Sequence, residues 1–463
     1  MSVSEFSGYN IARNMFNTFQ TAMDVTGNNI ANASNASYST QRAVITASPP
    51  LVNIGGVGNI GGGSQVSSIE RQRDSYVDVQ RTGQQGALGA ANSLSQGLNQ
   101  LQALWNNGNG QGLSTAVDDL SSAFSSLSSQ PDSVSLRQGV IDSATALTTQ
   151  MQQSATDLGN LQQQSDQQVG DEVTQVNQLS NSVAQLNVQI SGQLATGQQP
   201  NDLMDQRQAD IEQLGTLTGA QSSEMANGMI NLNVGGHWLV AQDRAATINS
   251  TPDPARPGLT SFTWADNGQA YAPSGGETQA ALDMRDVEVP DSQTKLNGLA
   301  AAMISDFNGL QASGYALNSA TPGGTQFFTG TSAANIQVDP ALASDPQALA
   351  AATTASAPGD GSQAAAFAAL NGSTNASLGM SYTSALATWS SEAGASASLA
   401  SQQQTTQQGL MNQLNTLTSS VSGVSINTEA TNLSEYEQAY QAGARYVGVL
   451  DTMMQTLLTA VAN

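Results

Sequence analysis

The sequence predicts a mainly α protein: an elongated rod of long coiled-coil-like helices from both chain ends, with a small β-rich part in the middle. Three observations predict this class. Apolar residues recur at alternating steps of three and four near both termini and through 160–195, which is the period of a helix seam. Charged residues make up only 10% of the chain and aromatics 5%, so few large rings exist to fill a compact core. The Ala, Ser, Gln, Asn and Thr that replace them suit helices packed through small and aliphatic side chains. Period-two runs are short and confined to 43–80 and 219–290. A chain of 463 residues corresponds to roughly three domains at about 150 residues each, and buries a core without disulfides or metals.

The first segment carries Tyr9, Ala12, Phe16, Phe19, Met23, Thr26 and Ile30 on one helical stripe. Asn28 and Asn29 weaken the helix, and ANASNASYST is loop chemistry. AVITA, LVNIGGVGNI and SQVSSI, broken by Pro49, Pro50 and glycines, read as short strands of an extended connector. From about Gln84 to Thr218 the helical period returns, and Val169, Val173, Val176, Leu179, Val183, Leu186 and Ile190 form its clearest seam. A helix over 160–195 would be roughly 50 Å long. Breakers at Pro131-Asp132 and from Gly197 to Pro200 divide the stretch into about three long helices.

MINLNV, HWLVAQ and RAATIN are short alternating runs bounded by Gly228, Gly235-Gly236 and the turn TPDPARPG, so 219–290 is the β part. A helix follows over 292–313, then a loop-rich stretch with short helices near 341–355 and 363–371. Two long helices close the chain. Leu410, Leu414, Leu417, Val421 and Val424 mark one, and Leu433, Tyr436, Tyr440, Gly443, Val447, Leu450, Met454, Leu457 and Val461 mark the other. Domains therefore divide as 1–35 with 425–463 (terminal coiled coil, discontinuous), 36–82 (connector), 83–218 with 291–424 (helical rod) and 219–290 (β part).

Composition excludes much chemistry. There is no cysteine, hence no disulfide, Cys-ligated metal or thiol nucleophile. The single histidine, His237, cannot build a His cluster and reads as a surface or packed imidazole. A net charge of −23 with one lysine, Lys295, opposes nucleic-acid binding, which rests on cationic neutralisation. No apolar run is long enough to span a membrane. MSVSEFSGYNIARNMF lacks the basic and apolar regions of a cleaved signal peptide. Gly56-Val57-Gly58-Asn59-Ile60-Gly61 spells a dinucleotide fingerprint, but an extended SQVSSI follows where a helix is required. Asp118-Asp119 and Asp171-Glu172 are neighbours that point about 100° apart on a helix and read as solvated faces, not acid/base pairs. No catalytic residue, cofactor site or metal site is expected.

The strongest signal is the last seam. Two narrow apolar stripes at opposite chain ends pair most simply with each other, or with copies in neighbouring subunits. Neither buries enough surface to be stable alone. Gly443 lies within the seam, where a missing side chain admits close approach of another helix.

Here the residues resemble a known family. SGYNIARNMFNTFQTAMDVTGNNIANASNASYSTQR resembles the N-terminal signature of bacterial flagellar axial proteins, carried by Asn28, Asn29, Ile30, Ala31, Asn32, Tyr38, Gln41 and Arg42. GVSINTEATNLSEYEQAYQAGARYVGVLDTMMQTLLTAV is similar to the matching C-terminal signature, through Glu429, Leu433, Tyr440, Ala442, Ala444, Met454, Leu457 and Leu458. The interior narrows this to the flagellar hook-associated protein 1 (hook–filament junction) family. Asp202, Leu203, Met204, Asp205, Gln206 and Arg207 are similar to its D-L-L-D-Q-R segment, and Arg71 with Asp74 to its strand-then-helix stretch. AALDMRDVEVPDSQTKLNGLAAAMISDFNGLQASGYAL resembles its R-D-x-x-L-P and N-x-x-H-x-x-G stretch, with Val289 before the Pro and Gln311 at the His. FFTG and VDPALASDPQALAAA also fit. Longer members insert a β-rich outer domain after the F-F motif; here VDPALASDP follows Phe328 almost directly.

The resemblance implies a structural subunit with no enzyme activity. It would be exported by the flagellar type III apparatus without a cleaved signal and located in the extracellular flagellum. A dedicated export chaperone would bind around 425–463. A ring of copies would join the hook protein below to the next hook-associated protein and the filament above. The terminal helices would order on assembly. The candidate interface comprises Phe16, Phe19, Met23, Asn28, Asn29, Ile30 and Asn32 with Leu433, Tyr436, Tyr440, Gly443, Val447, Leu450, Met454, Leu457, Leu458 and Val461. The alternatives are a rod or hook subunit of the same axial family and a non-flagellar secreted coiled-coil adaptor or translocon protein.

Overall fold

A computed structural model describes residues 3–35, 37–50, 52–54, 58–105 and 112–462. Helix α1 (Val3–Ala31) leads into strand β1 (Gln41–Ala47), which returns antiparallel as β4 (Ser64–Arg71) with a bulge at Val44/Ile45. β2 (Val52–Ile54) and β3 (Gly58–Ile60) form a small hairpin between them. Four helices follow: α2 (Ser75–Trp105), α3 (Leu113–Ser129), α4 (Val134–Ala195) and α5 (Asn201–Thr218). α4 runs for 62 residues, roughly 90 Å at the α-helical rise, and gives the rod its length. Ser133 caps its start by accepting from the Leu136 N–H.

The β part is a four-stranded antiparallel meander, β5 (Gln221–Glu224), β6 (Ile230–Val234), β7 (His237–Ala241) and β8 (Arg244–Ala245), beside a hairpin of β9 (Ile248–Pro252) and β10 (Thr260–Trp264). Helix α6 (Gly276–Asp283) continues through a π-helical turn, Met284–Glu288, into α7 (Val289–Ser313). Beyond it come β11 (Phe328–Thr329) paired with β12 (Gln337–Val338), then α8 (Pro340–Ser344), α9 (Ser362–Ala369), α10 (Tyr382–Ser422) and α11 (Ile426–Ala462). The protein is thus mainly α, with long helices from both ends and few small sheets.

Two cores sit along α4. Its first half packs with α3, α7 and α9 around a ring cluster of Phe124, Phe307, Phe327, Phe328 and Phe367. Asn308 in α7 holds Phe327 and Phe328 by accepting both of their N–H groups and donating to the Phe328 carbonyl. Gln311, one turn on and 1% exposed, donates to Ala348 O and accepts from Ala350 N. The seam of the second half, Val169, Val173, Val176 and Val183, is covered by α5 and by the inner face of the sheet, including Leu232, Val234, Leu239 and Val240.

Scarce charge fastens these parts together. The Arg285 guanidinium, at the π turn, is buried and donates to Asp166 Oδ1 at 2.7 Å and to Thr260 O at 2.9 Å, tying the β9–β10 hairpin to α4. Arg207, 2% exposed, donates to Asn187 Oδ1 and Gly228 O, tying α5 to α4 and the meander.

Several boundaries differ from the sequence reading. α1 runs through Asn28 and Asn29 to Ala31. α2 starts at Ser75 rather than near Gln84, because the Asp74 carboxylate accepts from the Tyr76 and Val77 N–H groups and caps the helix early. The 36–82 connector is shortened accordingly. Among the described residues, the stretch expected to hold three helices holds four. The strands of the β part end at Trp264, and helix resumes at Gly276, not 292. The wider π turn lies just before Pro290, where the regular ladder would otherwise be broken.

The acid pairs separate. Asp118, Asp119 and Asp171 are exposed, but Glu172 is a correction to the solvated-face expectation: it is 6% exposed. It faces α6 across the helix interface, where burial pushes its carboxyl up to about 7 against the hydrogen bond from Gln168. His237 stacks on Trp264 at 4.0 Å with Nε2 3.1 Å from Asp266 Oδ2. Gly56 and Val57 of the fingerprint string lie outside the described residues, and Gly58–Ile60 is strand. Among the described residues no helix is long and apolar enough to cross a membrane, and no three acidic or His side chains cluster as a metal site.

Candidate assembly interface

The chain ends come together. α1 and α11 pack antiparallel, so Asn29 meets Glu429 at one end and Tyr9 meets Asp451 at the other. Between these, Phe19 tilts against Tyr436 at 6.2 Å and Phe16 against Tyr440 at 4.7 Å. Gly443 is buried beneath Met15: a Cβ there would stand 2.4 Å from Met15 Cε and 3.3 Å from Phe16 Cε1. Farther along, Gly8 lies against Leu450, whose two methyls would stand 3.1 Å from an added Cβ. The Tyr9 hydroxyl donates to Asp451 Oδ1 at 2.6 Å, and that carboxylate raises the phenol above its usual range.

The Asn-Asn-Ile-Ala-Asn turn is a knot at the end of this pair. Asn29 is 1% exposed and uses all four of its side-chain hydrogen-bonding positions. It donates to Gln41 O (2.8 Å) and Glu429 Oε2 (3.1 Å), and accepts from the Tyr38 hydroxyl (2.8 Å) and Gln41 N (3.0 Å). One side chain thereby joins the end of α1, the start of β1 and the first turn of α11. Asn32 donates back to Asn28 O and Oδ1 and closes the turn. Burial, reinforced by Asp202, Asp205 and Glu429, pushes the Tyr38 hydroxyl up to about 12.

This knot is fastened to the rod by the two aspartates of the D-L-M-D-Q-R segment. Asp205 accepts from Ser39 N (3.0 Å), Ser39 Oγ (2.8 Å) and Arg71 Nη1 (2.7 Å). Gln41 reaches Asp202, Thr40 donates twice to Ser422 O at the end of α10, and Arg73 pairs with Asp78. Arg81 pairs with Glu212 beside them.

Each candidate residue has a definite place. Phe16, Phe19 and Met23 are half-buried, as are Leu433, Tyr436, Val447, Leu450 and Met454. Tyr440 is 37% exposed. Asn29 is buried, Ile30 and Asn32 half-buried and Asn28 exposed. Leu457, Leu458 and Val461 stand 45%, 58% and 82% exposed. α11 therefore carries exposed apolar side chains along its last turns. An open groove of about 670 Å³ runs along it, lined by Arg445, Val449, Met453 and Leu457 among others.

The periodicity missed Met15, which fills the space at Gly443, and a second buried face of α1. Thr18, Ala22 and Val25 turn toward the β1–β4 hairpin, with Thr18 donating to Ser64 O and Ala22 and Val25 meeting Ala43. Small and polar residues there gave no apolar signal.

Family profiles and known proteins match this chain in several parts. The family profile described as Flagellar hook-associated protein FlgK helical domain matches residues 98–328, which span the end of α2 through β11. A second, Flagellar basal body rod FlgEFG protein C-terminal, matches 418–460, the end of α10 and most of α11. Flagellar hook-associated protein 1 of Salmonella typhimurium is 26% identical over 315 residues, covering 66% of this chain and 56% of that protein. The chain thus spans little more than half the length of that relative. The protein of that description from Bacillus subtilis is 24% identical, with 99% of each chain covered. The solved flagellar hook junction protein FlgK from Burkholderia pseudomallei is 17% identical and shares the fold, with a TM-score of 0.65 over 74% of this chain and all of that one. Matches to the helical core, to the C-terminal helix and to relatives along the whole length place this chain in the flagellar hook-associated protein 1 family.

Proposed function

We propose that this protein is a structural subunit of the hook–filament junction of the bacterial flagellum, and that its terminal helices are the assembling element. The observation that carries the reading is the antiparallel α1–α11 pair. Its inner seam is satisfied within the chain, while Val449, Met453, Leu457, Leu458 and Val461 remain exposed on α11. Such a surface is suited to burial against neighbouring subunits. Copies of the chain would form the ring, meeting the hook protein below and the next hook-associated protein above. The narrow seam also suits a terminus that is unfolded during type III export and folds into the α1–α11 pair afterwards, before neighbouring subunits cover its exposed face. The exposed apolar face of α11 is the natural target of an export chaperone before that step. The chain acts by packing, not catalysis, and works outside the cell.

The test is electron microscopy of cells lacking the gene, with a blot for flagellin in the medium. Hooks without filaments, together with secreted flagellin, are expected. Missing hooks would favour a rod or hook subunit instead, and normal filaments would contradict the reading.

A further inference from the structure

The helix α10 poses a separate question. Leu410, Leu414, Leu417 and Val421 follow one another at steps of four, three and four, the spacing of a coiled-coil seam. Three of them are nonetheless 44%, 45% and 36% exposed (Leu410, Leu417 and Val421). Isolated exposed leucines are ordinary, but a periodic stripe is not. The helix lies along α2, antiparallel, with Gln84 donating to Gln407. From Ser401 to Val421 it buries only Met411 below one-tenth exposure. The leucines instead wall an open groove of about 760 Å³ together with Gln80 and Gln84 of α2. Tyr76, one turn before Gln80 on the same side of α2, is 69% exposed and extends the face.

Charge decides what this face fits. The chain carries −23, so two copies repel except where their surfaces are neutral. No charged residue stands between Glu392 and Glu429. The nearest charges on α2, Asp78 and Arg81, are held by Arg73 and Glu212. The groove's polar rim, Gln80, Gln84, Gln413, Thr416 and Ser420, consists of amides and hydroxyls. Those groups are satisfied by other amides and hydroxyls, and a charged partner would be desolvated against them without a counter-ion. The chain's own surface is rich in Ser, Thr, Asn and Gln and supplies such partners.

We infer that the α2–α10 groove is a lateral contact surface for a second copy of this chain, distinct from the α1–α11 seam. The inference rests on the self-assembly proposed above. It gives the ring two contacts per subunit, one through the terminal helices and one between rods.

Site-specific photo-crosslinking in intact flagella tests it. A benzophenone side chain is carried in the full chain in place of Leu417, or of Leu410 as a second position, and in place of Leu458 on α11 as the reference. Unchanged thermal melting of each purified chain establishes folding. The expected result is an adduct of two copies of this chain from the α10 positions as well as from the reference. Copy–copy adducts from the reference alone, or attachment of both α10 positions to a different protein, would overturn the inference and leave the terminal-helix reading standing. Absence of copy–copy adducts from all three positions would overturn both.

Discussion

Asn29 and Glu429, 400 residues apart in the chain, share a buried hydrogen bond that closes the terminal helix pair at the end nearest the rod. Asn29 also holds both backbone polar groups of Gln41. Replacement by alanine leaves the Gln41 N–H and the Glu429 carboxylate without this partner in a buried setting. Each such loss costs about 1–3 kcal/mol. Asn29→Ala is expected to destabilise the terminal unit by about 3 kcal/mol while sparing the rod. Hydrogen exchange should show the amides near Gln41 losing protection and those of α4 keeping theirs.

Gly443 and Met15 meet across the two helices, where an added Cβ at Gly443 would stand 2.4 Å from Met15 Cε. Gly443→Leu forces Met15 out of the space it fills, and overpacking of this kind costs about 1–3 kcal/mol. Met15→Ala alone leaves a gap. The double substitution should recover part of the loss, so a double-mutant cycle on urea melts is expected to give a favourable coupling term. Strict additivity would mean that the two side chains do not share this space.

Glu172 makes stability depend on pH. Its folded-state pKa, about 7, lies above the unfolded value near 4.5, so the folded protein holds the proton more tightly. The stabilisation is fully present below pH 4.5 and is lost as pH rises through 7. The size follows from about 1.4 kcal/mol per pKa unit, giving up to about 3 kcal/mol. Glu172→Gln should flatten this dependence and raise the denaturant midpoint at pH 8 more than at pH 5. Equal shifts at both pH values would place the titration elsewhere.

Much of the architecture was legible in the spacing of apolar residues, for a physical reason. Phe16 and Phe19, like Tyr436, Tyr440 and Gly443, share one face because three- and four-residue steps return to the same side of a helix. Spacing says which residues lie together but not what covers them. The valines of 169–183 read as a helix seam, yet a sheet lies over much of it. The leucines of α10 read the same way and remain half in solvent. Thr18, Ala22 and Val25 escaped notice because a face that packs small residues against a hairpin has little apolar contrast. Asp205 and Arg207 stood out by resemblance, but their partners, Ser39 and Gly228, lie across loops that no local pattern reveals. Glu172 departs from the solvated-face expectation because its environment is set by α6, about a hundred residues later.

The central claim is that the α1–α11 seam drives incorporation into the flagellum while the rod folds independently of it. Leu450 is half-buried against Gly8 near the far end of the seam, and aspartate there sets a charge against apolar neighbours. The most direct measurement compares purified Leu450→Asp with the natural chain by thermal melting, then blots both in isolated hook–filament preparations. The account predicts an unchanged melting transition for the rod, loss of the variant from the preparations and flagellin released into the medium. Normal incorporation of Leu450→Asp with full-length filaments would contradict it.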